Sequence, residues 1–238
     1  MINHVSKDVM ERFKVNKFVE LGILQGDTLM IVQDWFVEWY GLEFNTGPFG
    51  KVISHRHAAI PTGKKPPRMY EVDFNAAVIA NTHQFKSQRN VNITVEQSES
   101  TAWLKKNIDA GEFTSDDSVF FYLDAHDDSS LPEAISGGSA PEVSPKKQPL
   151  RDEIWEILKL KNNPIISIDD WSLPNFPDVK DVYYLGMIRD LICDRTDVVY
   201  YTRDWNLHGK FSVFVFLDRK EEELRDVLKG LPLIMQRI

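Results

Sequence analysis

The sequence predicts an α/β protein built on a doubly wound, mostly parallel sheet with an antiparallel edge strand. Three observations carry the prediction. Apolar runs of strand length alternate with stretches of helical periodicity through residues 17–171, the pattern of parallel strands linked by crossover helices. Two of the runs, Phe120-Phe121-Tyr122-Leu123 and Ile165-Ile166-Ser167-Ile168, are apolar almost throughout, as strands buried on both faces are. Both stop at acids, the first at Asp124-Ala125-His126 and the second at Asp169-Asp170-Trp171. In open α/β sheets, ligands bind just outside the carboxyl ends of the strands.

The elements follow in order. Residues 7–16 read as a short helix with Val9, Met10 and Phe13 on one face, and residues 17–22 as a strand entering a glycine turn. A helix opens at Asp27 or Thr28, both good N-cap types, and runs to about Tyr40. Residues 41–67 hold four of the twelve prolines and four glycines and read as a long insertion, with a short strand at residues 51–53. Strands are expected at 69–74 and 91–95, with helices at 75–87 and 100–108. Residues 127–148, rich in Ser, Gly and Pro, read as a lid. Residues 150–160 form an amphipathic helix with Ile154, Ile157 and Leu158 inward, and residues 182–193 another helix. Strands at 197–202 and 211–217 supply the antiparallel edge, and a helix at 222–229 closes the chain. Residues 1–238 form a single domain without internal repeats.

Composition narrows the function classes. The chain is 42% hydrophobic and 27% charged, which is ordinary for a globular protein. A net charge of −8 and pI near 5.3 give no basic field for phosphate contacts, so nucleic acid is an unfavoured partner. A lone cysteine excludes an intrachain disulfide framework. Cys193 sits in a helix-like apolar stretch and is expected to be buried. No signal peptide or spanning helix is visible, so a cytoplasmic, non-membrane setting is expected.

The residues at the strand ends have a chemistry of their own. Glu20-Leu21-Gly22-Ile23-Leu24-Gln25-Gly26-Asp27-Thr28 places two glycines between a strand and a helix. Glycine lets backbone approach a ligand with no Cβ in the way, and a helix N-terminus offers free N–H groups. The spacing is neither G-x-G-x-x-G nor a phosphate-binding P-loop. Asp73 ends the next strand, where an acid can accept hydrogen bonds from ribose hydroxyls. Asp124, Asp169 and Asp170 repel one another unless a cation or shared proton compensates, and oxygen-rich sets suit Mg²⁺, Ca²⁺ or Mn²⁺.

Taken in this order, the motifs resemble the class I S-adenosylmethionine-dependent methyltransferases, in particular the macrocin-type sugar O-methyltransferases. The resemblance covers roughly residues 17–171: the turn from Glu20 to Thr28, Met69 to Asn75, Asn90-Val91-Asn92-Ile93, Leu123-Asp124-Ala125-His126, Pro149 to Ile154, and Ile168 to Trp171. It implies a Rossmann-like methyltransferase fold and a cofactor site of Glu20, Gly22, Gly26, Thr28, Asp73 and Ser98. Asp124, Asp169 and Asp170 would hold Mg²⁺ or another divalent cation. His126 stands where the family often has an acidic general base, and an imidazole suits either proton abstraction near neutral pH or service as a fourth metal ligand. Gln97 is a departure, because the family often carries an acid there. The implied reaction is methyl transfer to a hydroxyl of a sugar, glycan or small polyhydroxylated metabolite, with self-association left open.

Other readings compete. A non-catalytic relative of the fold would not need to retain Gly22, Gly26, Asp73, Asp124, Asp169 and Asp170 together. A methyltransferase of nucleic acid or protein is an alternative, but base amino-methylation is disfavoured because Asp124-Ala125-His126 stands where an Asn/Asp-Pro-Pro-Tyr/Phe motif would. A phosphatase-like hydrolase lacks a D-x-D-x-T nucleophile motif. Asp127 and Asp128 read as solvated acids, His55 and His57 as loop polar residues, and His208 as a turn residue. Trp35, Trp39, Trp103 and Trp155 read as core, and Trp171 as a substrate wall.

Overall fold

The computed structural model describes residues 2, 4–22, 28, 32, 68–73, 93–124, 149–171, 186, 188–202 and 211–238; for Glu71, Asp73, Ile93, Val95, Asp170, Trp171 and Phe211 it describes the backbone alone. The expected helices at 75–87 and through most of 28–40, the insertion 41–67 with its strand, and the lid 127–148 lie outside these residues, as do Trp35 and Trp39.

The strands are β1 (Lys17–Leu21), β2 (Arg68–Asp73), β3 (Ile93–Gln97), β4 (Val119–Leu123), β5 (Ile165–Trp171), β6 (Val198–Thr202), β7 (Phe211–Phe216) and β8 (Leu233–Arg237). They form one sheet in the order β3-β2-β1-β4-β5-β7-β6-β8. Strands β1 to β5 pair in parallel, β7 is antiparallel to β5 and β6, and β8 is antiparallel to β6. This is a Rossmann-like, doubly wound and mostly parallel sheet. The strands expected at 197–202 and 211–217 are β6 and β7, in the antiparallel part of the sheet as expected, and β8, which the sequence did not suggest, pairs outside β6 as the edge strand.

The helices are α1 (His4–Arg12), α2 (Ser100–Asp109), α3 (Leu150–Ile157), α4 (Arg189–Ile192) and α5 (Glu221–Val227), with Thr28 and Val32 also helical. Side chains alternate across each strand, so β1 sends Val19 and Leu21 to one core and Phe18 to the other. The first core includes Trp103 and Leu104 of α2, Leu150, Ile154 and Ile157 of α3, and Ile192 of α4. The second includes Val9 and Met10 of α1, Leu224 of α5, and Val32. Burying aliphatic and aromatic groups on both sheet faces contributes roughly 25 cal/mol per Å² of apolar area removed from water.

Caps mark the helix ends. The Glu99 carboxylate accepts from the Ala102 N–H at 2.8 Å and starts α2. The Arg12 guanidinium donates to the Val227 and Lys229 carbonyls at 2.5 and 2.8 Å, closing the last turn of α5 from α1. Two expectations fail here. Trp155 is 59% exposed, because the buried stripe of α3 runs through Leu150, Ile154 and Ile157 and leaves Trp155 about 100° round the helix from Ile154. Cys193 is exposed, because it lies one residue past the buried Ile192 at the end of α4. Among the described residues no helix is long and apolar enough to cross a membrane.

The amino ends of the strands are held by charge. The Lys17 ammonium pairs with Asp117 at 2.9 Å, and the Arg68 guanidinium with Glu112 at 3.0 Å, while the Tyr70 hydroxyl donates to the same Glu112 carboxylate. Burial pushes the Asp117 carboxyl up, but the Lys17 ammonium and the Thr114 N–H and hydroxyl outweigh it and hold the group below the usual carboxylate range. Burial, then the hydrogen bond to Glu112, pushes the Tyr70 phenol up. The opposite ends of the parallel strands carry the candidate site.

Candidate active site at the carboxyl edge

The chain runs from β1 outward to β2 and β3, then returns to β4 on the other side of β1. Such a reversal opens a crevice at the carboxyl ends of the two central strands. The ends are tightly drawn. The Gly22 N–H donates to the Val72 carbonyl, and the Asp124 N–H to the Leu21 carbonyl, both at 2.9 Å. Gly22 has φ of +90°, a backbone region that side-chain-bearing residues enter at a cost. The turn expected to receive the cofactor therefore leaves the sheet at a residue whose conformation calls for glycine.

Around that turn, Glu20 is 1% exposed and lies in register with Tyr122. Thr28 is helical and buried. Gly26 lies outside the described residues. Asp73 is the last residue of β2, in register with Gln97 at the end of β3. Ser98 follows, its hydroxyl donating to the Glu99 carbonyl at 3.1 Å. The backbone thus brings Gly22, Asp73 and Ser98 to the carboxyl ends of three adjacent strands.

The acids occupy the next two strands. Asp124 and Asp169 each lie one residue beyond the paired Leu123 and Ile168, on strands about 4.8 Å apart. Between β5 and β7 the register shifts: Ile168 faces Val213, and Trp171 faces Phe211. The extra residue on β5 is a bulge, and it falls on Asp169-Asp170. Bulges recur beside active sites, where they re-aim side chains. Asp169 is 2% exposed. Its Oδ2 accepts from the Tyr122 hydroxyl at 2.7 Å and its Oδ1 from the Ser212 hydroxyl at 3.2 Å. The Ser212 N–H donates in turn to the Thr202 hydroxyl oxygen at 3.2 Å. A buried polar chain therefore crosses β4, β5, β7 and β6 at the carboxyl edge.

Tyr122, Ser212 and Thr202 were not among the residues expected from sequence. Only Tyr122 carried a signal, a polar-tipped side chain two residues before Asp124 in an otherwise apolar strand. His126 lies outside the described residues, and Asp170 contributes its backbone position. Among the described residues, no group of three His, Cys, Asp or Glu is placed to hold a metal ion. The described acids, Asp124 and Asp169, carry oxygen donors at neighbouring strand ends, a donor type that fits a hard divalent cation in kind.

Comparison with known proteins adds a structural likeness. Among solved structures the chain is similar to an rRNA methylase from Streptococcus thermophilus, with 15% identity, a TM-score of 0.49, and coverage of 92% of this chain and 99% of that one. No protein-family model matches, and no curated protein matches.

Proposed function

We propose that this chain is an S-adenosylmethionine-dependent O-methyltransferase, assisted by a divalent cation, acting on a hydroxyl of a sugar, glycan or small polyhydroxylated metabolite in the cytoplasm. The observation that carries the reading is the meeting, at the reversal of strand order, of the positive-φ turn at Gly22 with the Asp124 and Asp169 strand ends. Glu20, Gly22, Gly26 and Thr28 would receive the amino-acid end of the cofactor. Asp73 would accept the ribose hydroxyls, and Ser98 would border the adenine.

S-Adenosylmethionine, when bound, supplies an electrophilic methyl on sulfonium. Asp124, Asp169 and Asp170 would hold the cation, which as a Lewis acid lowers the pKa of an acceptor hydroxyl. His126 would take the hydroxyl proton. The hydroxyl oxygen would form its bond to the methyl carbon as the carbon–sulfur bond breaks, with S-adenosylhomocysteine and the methyl ether as products. The remaining task of the chain is to align two reactants, which can supply much of the barrier reduction.

The test is an acceptor screen with S-adenosylmethionine and Mg²⁺ over deoxysugars, hexoses, nucleotide sugars and diols, reading S-adenosylhomocysteine and the methylated product by mass. Chelator-sensitive ether formation supports the reading. Turnover on RNA or protein, with none on any hydroxylated small molecule, would reverse the acceptor assignment.

A further inference from the structure

We infer that Tyr122 and Ser212 are positioning residues that orient the Asp169 carboxylate for a divalent cation. The inference rests on the proposed function and adds two residues to its site. Tyr122 lies in register with Ser167, two residues before Asp169 on the neighbouring strand. Its phenol reaches toward the carboxyl end to meet Oδ2 at 2.7 Å. Ser212 comes from β7, on the other side of β5, and meets Oδ1 at 3.2 Å. Each carboxylate oxygen is thus held by a donor from a different flanking strand, which fixes the plane of the group.

The nature of these donors matters. A carboxylate offers about four lone-pair sites, and the two hydroxyls occupy one on each oxygen. Both donors are neutral. Neither hydroxyl brings a positive charge of its own that would compete with a cation for the carboxylate. Ser212 is steadied by its own N–H, which donates to the Thr202 hydroxyl oxygen. Outer-shell partners of this sort orient metal ligands, and their removal typically costs about 10- to 100-fold in metal affinity.

Ser167 supplies the control. It is fully buried in the same strand, and its hydroxyl has no hydrogen-bond partner among the described residues. Losing that hydroxyl removes a buried oxygen from the same strand without touching Asp169.

The experiment is calorimetric titration of Mn²⁺ into the full chain saturated with S-adenosylmethionine. It compares wild type, Tyr122→Phe, Ser212→Ala, Ser212→Thr and Ser167→Ala. The expected result is a Kd for Mn²⁺ raised about tenfold or more in Tyr122→Phe and Ser212→Ala, with cofactor affinity unmoved. Ser167→Ala stays at the wild-type Kd, and Ser212→Thr, which keeps a hydroxyl, recovers most of the loss. If Tyr122→Phe does not fold, the two Ser212 variants decide the matter alone. Wild-type Mn²⁺ affinity in Tyr122→Phe and Ser212→Ala, whatever their thermal stability, overturns the positioning role and leaves the metal-assisted reading standing. A wild type that binds the cofactor but no cation overturns both.

Discussion

Replacing Asp169 by Ala strips the acceptor from two buried hydroxyls at once. The Tyr122 contact, 2.7 Å to a carboxylate, belongs to the charge-assisted class worth about 1.5–3 kcal/mol, and a buried donor left without an acceptor costs about 1–3 kcal/mol. The Ser212 contact at 3.2 Å is longer and belongs at the lower end of that scale. Against these losses, removal of a carboxylate that is 2% exposed relieves its own desolvation. The net expectation is a loss of about 2–4 kcal/mol, a large share of the 5–15 kcal/mol typical of a domain. Urea unfolding followed by tryptophan fluorescence reads this as a lower midpoint at unchanged slope. The decisive form is a double-mutant cycle. In a Tyr122→Phe background the same Asp169→Ala change should cost about 1.5–3 kcal/mol less, because no phenol is left stranded. Effects that add to within about 0.5 kcal/mol would refute the reasoning, since they would mean that the two groups do not share an energetic contact.

Further outcomes follow from other parts of the molecule. Gly22→Ala forces a side-chain-bearing residue to φ of +90°, which should cost about 1–2 kcal/mol and weaken S-adenosylmethionine binding in calorimetry; a variant with wild-type stability and affinity would show that the turn tolerates a Cβ. The pairs of Asp117 with Lys17, and of Asp218 with Arg195, hold both carboxyls below their ordinary value of 3.8. Their stabilisation is therefore complete above that pH and is lost as pH falls through the depressed folded values. Asp117→Asn should flatten the acid limb of stability measured from pH 6 to about pH 2, and an unchanged limb would contradict the assignment. The exposed Cys193 thiol should react with a disulfide reagent in the native state to one equivalent per chain; reaction only after denaturation would show it to be buried.

The central strands and their acidic ends were legible because a parallel strand buried on both faces leaves an unbroken apolar run, and the first polar residue marks where it emerges. Val119–Leu123 follows that rule throughout, whereas Lys17–Leu21 and Ile165–Trp171 each carry a buried polar residue inside the run, Glu20 and Ser167. The bulge at Asp169-Asp170 was not legible, because it arises from the pairing of β5 with β7, some forty residues further along the chain. For the same reason nothing local in Ser212 announces that it meets Asp169. The interior place of β7 is set by which strand its hairpin lies against, and composition does not carry that information. Leu233–Arg237 is a short run after a helix, half exposed along its length, and shows little alternation to mark it as a strand. Trp155 and Cys193 were misjudged by residue type. In each case helical geometry, one residue off the buried stripe of α3 and one residue past the end of α4, outweighed the apolar character of the side chain.

The central claim is that the crevice where the strand order reverses binds S-adenosylmethionine together with a divalent cation. Calorimetric titration of S-adenosylmethionine, with and without Mg²⁺, into wild type and into Asp124→Ala/Asp169→Asn tests it most directly. The account predicts cofactor binding by both proteins and a Mg²⁺ heat in the wild type that the double variant lacks. A wild type that takes up no S-adenosylmethionine in either metal state would contradict it.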